Sequence, residues 1–194
     1  AKVKPQISTA AYWQLFTNRN SRIRQLNQLD DKMVAMTRYS VTDMLADHVV
    51  DSAKLKSERV FKVQINDVNV RLQMMLNNEM DAMFVTEPQA TLARLAKHKV
   101  LLDTRKMNWH MGVIAFREKP MKDVDRKRQY DVFVKAYNQA CDSINKNGIA
   151  RYAHLMEKYC RTRSAVLDSI PKTKFPHAVG PREKDVLRAE KYIK

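Results

Sequence analysis

The chain has 194 residues, 44% of them hydrophobic, which suffices for one large domain or two small lobes with a buried core. Its formal charge of +15 comes from 36 basic and 21 acidic residues and is spread along the chain, with a net of +6 over residues 1–116 and +9 over residues 117–194. No block of five like charges occurs, so the charge indicates a solvated basic face in preference to a nucleic-acid groove. No run of about 18 apolar residues occurs either, and the first residues lack the apolar core of a signal peptide.

The small number of glycines excludes two common nucleotide sites. Only Gly112, Gly148 and Gly180 occur, whereas a dinucleotide fingerprint or a P-loop needs several glycines within a few residues, so that backbone amides can approach a phosphate. Cys141 and Cys160 are the only cysteines; two free thiols are favoured, and a disulfide between two neighbouring helices stays open. The histidines are scattered, so no metal site and no cofactor are predicted.

The first part of the chain alternates between strand and helix patterns. Strands are predicted at residues 8–16, 32–36, 60–65, 82–85, 100–102 and 112–116, and those at 32–36 and 82–85 are expected to be buried. Helices are predicted between them, from Ser40 to about Ser52, over 68–78 and over 89–98, with Pro88 in a favoured first-turn position. This alternation predicts a parallel α/β sheet over about residues 30–104.

After Pro120 the pattern becomes helical. A long amphipathic helix is predicted over 125–147, ending at Asn147-Gly148, and shorter helices over 149–159, 164–170 and 183–192. One stripe of the long helix is mostly apolar, and we expect it to pack against a sheet. Its residues are Val132, Ala136, Gln139, Ala140 and Ile144.

Four segments, in this order, resemble a known family. Ile23, Leu29, Lys32, Val34 and Ala35 fit a phrase I-x5-L-x-x-K-x-V-A, and residues 78–88 (NEMDAMFVTEP) fit G-x-x-D-A-x4-E-P, with Asn78 or Glu79 in place of the usual glycine. Residues 99–103 and 133–140 resemble the strand and the long helix that follow in that family. The chain is thus similar to type 2 periplasmic solute-binding proteins of ABC transporters, in the branch of sulfonate, nitrate and thiamine-precursor receptors.

The resemblance implies a fold and a domain plan. The fold is α/β, a type 2 periplasmic-binding-protein lobe with a parallel-rich sheet flanked by helices, plus a helical C-terminal part of the other lobe. Residues 1–19 would be a hinge strand and first-lobe remnant, 20–112 the second lobe, and 113–194 a mainly helical return to the first lobe. The N-terminal part of the first lobe has no counterpart in this sequence, so we expect self-association or pairing with a first-lobe segment, with the aromatic strand at residues 10–16 as an open edge.

Ligands in open α/β sheets lie at the carboxyl ends of strands, and this rule selects the candidate site. The candidate residues are Thr37, Arg38, Tyr39, Ser40, Thr42, Asn66, Asp67, Thr86 and Glu87, with Trp109 and His110 before the return strand. Unpaired amides and hydroxyls in the loop after residue 36 could hold a polar or anionic ligand. Alternatives stay open. Ser40 could only cap its helix, and Asn66 with Asp67 could only cap the next one. Glu87 could be a ligand contact or a hinge brace through an ion pair, and Trp109 a ligand-stacking or a packing residue.

The function implied by the resemblance is a non-catalytic, extracytoplasmic receptor that delivers a small polar or anionic molecule to an ABC importer. The partners would be the small-molecule ligand and the transporter permease, with no specific nucleic acid. The location would be the periplasm or the outer face of the inner membrane, with lipoprotein anchoring, as in the bacterial family. The sequence contains no Gly-x-Ser-x-Gly nucleophile elbow, and catalysis is therefore not predicted. The alternative is an effector-binding domain of a LysR-type regulator or another ligand sensor with the same fold.

Overall fold

The structure is a computed structural model that describes residues 3–9 and 11–193, with side chains from Ile7 onward. The chain divides into two compact units. We call Tyr12–Asn108 the sheet unit, and we call the segment up to Ala11 together with Trp109–Lys194 the helical unit.

In the described residues the chain forms seven strands and seven α-helices. The strands are β1 (Val3–Thr9), β2 (Gln14–Thr17), β3 (Lys32–Met36), β4 (Val60–Gln64), β5 (Ala82–Val85), β6 (Lys99–Asp103) and β7 (Gly112–Arg117). The helices are α1 (Val41–Ser52), α2 (Val68–Leu76), α3 (Gln89–Leu95), α4 (Thr104–Met107), α5 (Val124–Asn147), α6 (Ala153–Cys160) and α7 (Glu183–Ile193). Short 3-10 helices lie at Leu26–Leu29, Ser57–Arg59, Lys119–Lys122, Ile149–Tyr152 and Ser164–Ser169. In this described part, every helix falls short of the length or the apolar character that a bilayer crossing requires.

The sheet unit is built on a five-stranded sheet in the order β4-β3-β5-β2-β6. Strand β3 pairs in parallel with β4 and β5, while β2 runs antiparallel to both β5 and β6. All four residues of β5 are buried, because the strand lies inside the sheet with helices packed against it. Phe16, Met83 and Val85 meet Leu72 and Met75 of α2 in the core.

The strand predicted at residues 8–16 is wrong as one element. The structure ends β1 at Thr9 and begins β2 at Gln14, and Ala10, where the predicted open edge begins, lies outside the described residues. The backbone of Trp13 instead forms two hydrogen bonds with Thr104. The Trp13 N–H donates to the Thr104 side-chain hydroxyl at 3.0 Å, and the Trp13 carbonyl accepts from the Thr104 N–H at 3.0 Å. The expected open edge is also wrong, because Leu15 and Phe16 are fully buried between β5 and β6.

In the helical unit, β1 pairs antiparallel with β7, and Thr9 faces Gly112. A Cβ at Gly112 would lie on the Thr9 hydroxyl and 2.8 Å from Ala11 Cβ, so the close approach requires glycine. The predicted long helix is confirmed as α5. Both cysteines carry free thiols in this structure, and Cys141 is buried whereas Cys160 is partly exposed.

Candidate ligand-binding edge of the sheet

The polar residues selected from the sequence within the sheet unit lie along one edge of its sheet. Strands β3, β4 and β5 all end there, because they run parallel. Strand β6 ends there and β2 begins there, because β2 is antiparallel to β5 and to β6. We call this the carboxyl edge, the position at which α/β sheets bind ligands.

The loop after β3 is closed by its own side chains. Ser40 caps α1, since its Oγ accepts from the Thr42 N–H at 3.1 Å, and it also donates to the Thr37 carbonyl at 2.6 Å. The Thr37 N–H donates to Thr42 Oγ1 at 2.9 Å, and the Tyr39 N–H donates to Asp43 Oδ2 at 2.9 Å. The expectation of unpaired amides at Thr37, Tyr39 and Thr42 is therefore wrong, because hydroxyl and carboxylate oxygens of the same loop and helix accept from them.

Two side chains of this loop remain open to solvent. Arg38 is exposed, and the Tyr39 side chain is 91% exposed on a backbone with φ of 56°, in the left-handed region. Such a conformation in a residue other than glycine is uncommon and needs local support. The hydrogen bond from Tyr39 to Asp43 supplies that support, and it leaves both side chains free to reach a ligand.

The residues after β4 are used mainly to begin α2. Asp67 caps the helix, accepting from the N–H groups of Asn69 at 2.7 Å and Val70 at 3.4 Å, so the capping alternative is confirmed. The exposed Asn66 accepts from the Gln64 amide at 3.5 Å. Within the first turn of α2, the Asn69 side chain accepts from Gln89 Nε2 at 2.9 Å, which joins α2 to the start of α3.

Sequence reasoning missed the side chain that joins the three strand ends, Arg71 of α2. Its Nε donates to the Ile65 carbonyl at 2.6 Å, one Nη donates to the Phe84 carbonyl at 2.7 Å, and the other Nη donates to Thr37 Oγ1. These acceptors lie at the ends of β4, β5 and β3 respectively. A signal was present in the sequence: Arg71 follows Val68 by three residues and precedes Met75 by four, which places a charge beside the apolar face of α2.

Burial makes Arg71 electrostatically unusual. The residue is 3% exposed, and burial lowers the pKa of its guanidinium to about 10, while the charge of Asp67 acts in the opposite direction. The group therefore remains a cation at neutral pH. Among the described residues, no carboxylate forms an ion pair with it.

Glu87, at the end of β5, braces the structure through an ion pair. Its Oε1 accepts from Arg94 Nη2 at 2.5 Å, and its Oε2 accepts from Thr91 N at 3.0 Å and Thr91 Oγ1 at 2.7 Å. Arg94 also donates to the Gln14 carboxamide at 2.7 Å, which joins α3 to β2. The neighbouring Thr86 contributes its carbonyl to α3 by accepting from Ala90 N at 2.9 Å.

The network continues to the last strand of the sheet. Gln14 Nε2 donates to Asp103 Oδ2 at 3.0 Å, and Arg105 forms an ion pair with the same carboxylate. Burial opposes the charge on Asp103, but hydrogen bonds from Arg105 and Gln14 keep the pKa of this carboxyl below its usual value. The β6 end of the carboxyl edge thus carries charges that neutralise each other.

The two remaining candidates, Trp109 and His110, belong to the helical unit. The Arg188 guanidinium of α7 lies 4.1 Å from the centroid of the Trp109 ring, which corresponds to the packing alternative. The His110 backbone N–H donates to Asp185, a buried α7 carboxylate. No group of three or more potential metal ligands occurs in the described ranges.

Comparison with solved structures confirms the predicted fold class, that of type 2 periplasmic binding proteins. No protein-family model and no curated protein matches the chain. The periplasmic aliphatic sulphonate-binding protein SsuA from Escherichia coli is similar, with a TM-score of 0.75 and 16% identity over 98% of this chain and 64% of SsuA. The ligand-binding component of an ABC-type import system from Staphylococcus aureus, solved with zinc bound, has a TM-score of 0.75 and 14% identity over 100% of this chain and 67% of that one.

The fold is shared with at least one enzyme. DszB, solved as a cysteine-to-serine mutant in complex with biphenyl-2-sulfinic acid, has a TM-score of 0.61 and 11% identity over 98% of this chain and 70% of that one. The chain spans less than two thirds of the length of SsuA. At these identities the likeness defines the fold, and function must be argued from the site.

Proposed function

We propose that this chain is the greater part of an extracytoplasmic solute-binding receptor that delivers a small anionic molecule to an ABC importer without chemical turnover. The fold of the binding-protein structures supports the general role. The observation that carries the choice of an anion is Arg71, a buried cation that spans the ends of three parallel strands at the carboxyl edge.

An anionic ligand would compensate the buried positive charge of Arg71. Removing a charged group from water costs several kcal/mol even after relaxation, and carbonyl dipoles offset only part of this cost. A sulfonate, sulfate or similar oxyanion near β3 and β4 would add negative charge to the partial compensation that Asp67 already provides. Ligands of this kind favour arginine because its planar group donates in fixed directions.

Nuclear magnetic resonance of the arginine side chains tests this directly. We expect ethanesulfonate to shift the Arg71 Nε–H signal and the Thr37 to Thr42 amides, whereas the neutral diethyl sulfone leaves them unchanged. Arg71→Lys keeps the charge but loses the three-way geometry, and it should weaken ethanesulfonate binding at least tenfold, a loss of about 1.4 kcal/mol. Arg22→Lys, on an exposed residue, is the matched control.

Two outcomes contradict the proposal. Equal shifts with sulfone and sulfonate would remove the role of charge, and ethanesulfonate shifts confined to the helical unit would move the site elsewhere. Because Arg71→Lys could also disturb folding, the titration of the unsubstituted chain decides the question independently.

We also propose a two-lobe plan in which the second lobe is the sheet unit, Tyr12–Asn108, and the remaining residues belong to the first lobe. These bounds differ from the expected 20–112, because β2 pairs with β5 and β6 and so belongs to the sheet of the second lobe. The division into a sheet unit and a helical unit, each with its own compact packing, supports it. Limited proteolysis should release a stable fragment near residues 12–108, and cleavage first inside that range would contradict the plan.

The helical unit, we propose further, is completed by additional polypeptide or by a second copy. Val132 is 63% exposed, and Ala136, Gln139 and Ala140 of the same α5 stripe are also exposed. Light scattering of the 194-residue chain should therefore give a mass above the 22.7 kDa of one chain. A compact, stable monomer at that mass would refute this proposal.

The periplasmic location and the transporter partner are supported by the fold neighbours and belong to the same proposal. Lipoprotein anchoring is proposed with them from the family resemblance alone. SsuA and the Staphylococcus aureus binding protein give no support to the alternative of a LysR-type effector domain. Absence of turnover is proposed as well, since the carboxyl edge uses Glu87 and Asp103 in ion pairs. Chemical conversion of a bound sulfonate or sulfinate would contradict it.

A further inference from the structure

The basic charge of the molecule is concentrated in one of its units. By sequence, the helical unit holds 21 basic and 10 acidic side chains, a net of +11, whereas the sheet unit holds 15 and 11, a net of +4. Residues 146–174, which we call the basic segment, contain seven basic side chains and only two acidic ones. The seven are Lys146, Arg151, Lys158, Arg161, Arg163, Lys172 and Lys174.

These seven side chains are available to a partner. All seven residues are exposed, and within the described residues none of them takes part in an ion pair. Of the two acidic residues in the segment, Glu157 accepts a hydrogen bond from the Ser164 N–H at 3.2 Å. The segment therefore carries exposed cations that its own carboxylates do not neutralise in ion pairs.

The helix inside this segment adds exposed apolar side chains to the charge. On α6, Leu155 is 42% exposed and Tyr159 is 71% exposed, and their spacing of four residues places them on one face. Lys158 lies beside them, with its Nζ 5.2 Å from the centroid of the Tyr159 ring. Arg151 lies just before α6, in the 3-10 helix Ile149–Tyr152.

We propose that α6 and the basic segment form a docking surface for an anionic lipid bilayer. Lysine and arginine would contact lipid phosphates, while Leu155 and the Tyr159 ring would enter the boundary between head groups and acyl chains. A nucleic acid duplex offers the phosphates but no apolar layer for Leu155, so the bilayer satisfies both features of the surface. This surface lies in the helical unit and would bind lipid whichever solute the sheet unit binds.

Vesicle binding tests the surface and its charge. We expect the chain to sediment with phosphatidylcholine vesicles that contain about 30% phosphatidylglycerol, and about 0.5 M salt should release it. It should not bind vesicles of pure phosphatidylcholine. Replacing both Arg151 and Lys158 by glutamine should weaken this partition about 30-fold, since each cation near the surface is worth about 1 kcal/mol. The matched control replaces Lys56 and Lys106, two exposed lysines of the sheet unit, by glutamine and should bind within about twofold of the unsubstituted chain.

A second variant reports insertion without depending on charge removal. Tyr159→Trp keeps an aromatic ring on the exposed face of α6, and we expect its fluorescence to shift to shorter wavelength when anionic vesicles are added. The proposal is overturned by an unshifted tryptophan, by equal losses in the two double variants, or by equal sedimentation with neutral vesicles. It is also overturned if a duplex oligonucleotide competes fully and binds the Leu155→Ser variant as well as the unsubstituted chain, which would reassign the surface to nucleic acid.

Discussion

Asp185 should be the most sensitive position of α7. Its Oδ2 accepts from Arg182 Nε at 2.6 Å, its Oδ1 accepts from Arg188 Nη1 at 2.7 Å, and the backbone N–H of His110 also donates to it. Arg188 in turn stacks on Trp109. One carboxylate that is 4% exposed therefore joins α7 to the segment before β7.

The loss of stability expected when Asp185 is replaced follows from this geometry. Removing one partner of a buried ion pair costs about 3–5 kcal/mol when both groups are buried. The side chains of Arg182 and Arg188 are 31% and 28% exposed, so water can partly solvate them after the loss, and we expect about 2–3 kcal/mol for Asp185→Asn. The melting temperature should fall by about 4–12 °C for a chain of this size.

The assay is thermal unfolding followed by Trp109 fluorescence in a Trp13→Phe background. Glu190→Gln is the control, because it removes the same charge from an exposed site on the same helix, and it should change stability by no more than about 0.5 kcal/mol. If Asp185→Asn and Glu190→Gln melt at the same temperature, the ion pairs do not hold α7 and the reasoning fails.

The effect of Asp185 should also depend on pH in one direction. Burial disfavours its charge, but hydrogen bonds from Arg182 and Arg188 outweigh burial and keep the pKa below the ordinary 3.8. A carboxyl whose pKa is lowered by folding stabilises the protein above its unfolded pKa and loses this contribution as pH falls through the folded value. The difference between Asp185→Asn and the unsubstituted chain should therefore be full at pH 7 and shrink below about pH 4.

Three further predictions concern the sheet unit and the β1–β7 pair. Glu87→Gln should lower the free energy of unfolding in urea by about 1–2 kcal/mol, because it breaks the ion pair with Arg94, and it should leave ethanesulfonate affinity unchanged; a lost affinity would make Glu87 a ligand contact. Gly112→Ala should cost about 1–3 kcal/mol through steric overlap with β1, whereas Gly180→Ala, which has open space around it, should cost much less, and equal effects would contradict this packing. Burial lowers the pKa of His98, so the unfolded state takes up its proton first, and the sheet unit should lose stability as pH falls below about 6.5; a pH titration of unfolding that is identical in His98→Asn would contradict this.

Local patterns in the sequence predicted most of the sheet unit. Short apolar runs such as residues 82–85 predict buried strands, and Asp67 and Ser40 predict helix starts, because the forces involved act within a few residues. The antiparallel insertion of β2 was not predicted. Leu15 pairs with Phe84 and Leu102, far along the chain, and no local pattern encodes such a partner.

The sequence predicted where the candidate residues lie in the sheet but not which of their atoms remain available for a ligand. The edge rule places Thr37, Asp67 and Glu87 correctly at strand ends, because parallel strands share a direction. Which of their atoms remain available depends on contacts between helices and strands that lie apart in sequence. Arg71 illustrates this limit: its value as a charge depends on carbonyls from Ile65 and Phe84 that only the folded sheet brings together.

The distribution of charge along the carboxyl edge favours one half of this edge for binding an anion. Glu87 is paired with Arg94, Asp103 with Arg105, and Asp43 of α1 with Lys62 of β4 at 2.9 Å. Arg71 differs from these cations, since the oxygens that it contacts belong to carbonyls and a hydroxyl. An oxyanion would therefore be attracted to the β4-β3-β5 half of the edge, where a positive charge is not offset by contact with a carboxylate. At the β6 half, where the charges are already paired, an oxyanion would gain little and would compete with Asp103 for Arg105.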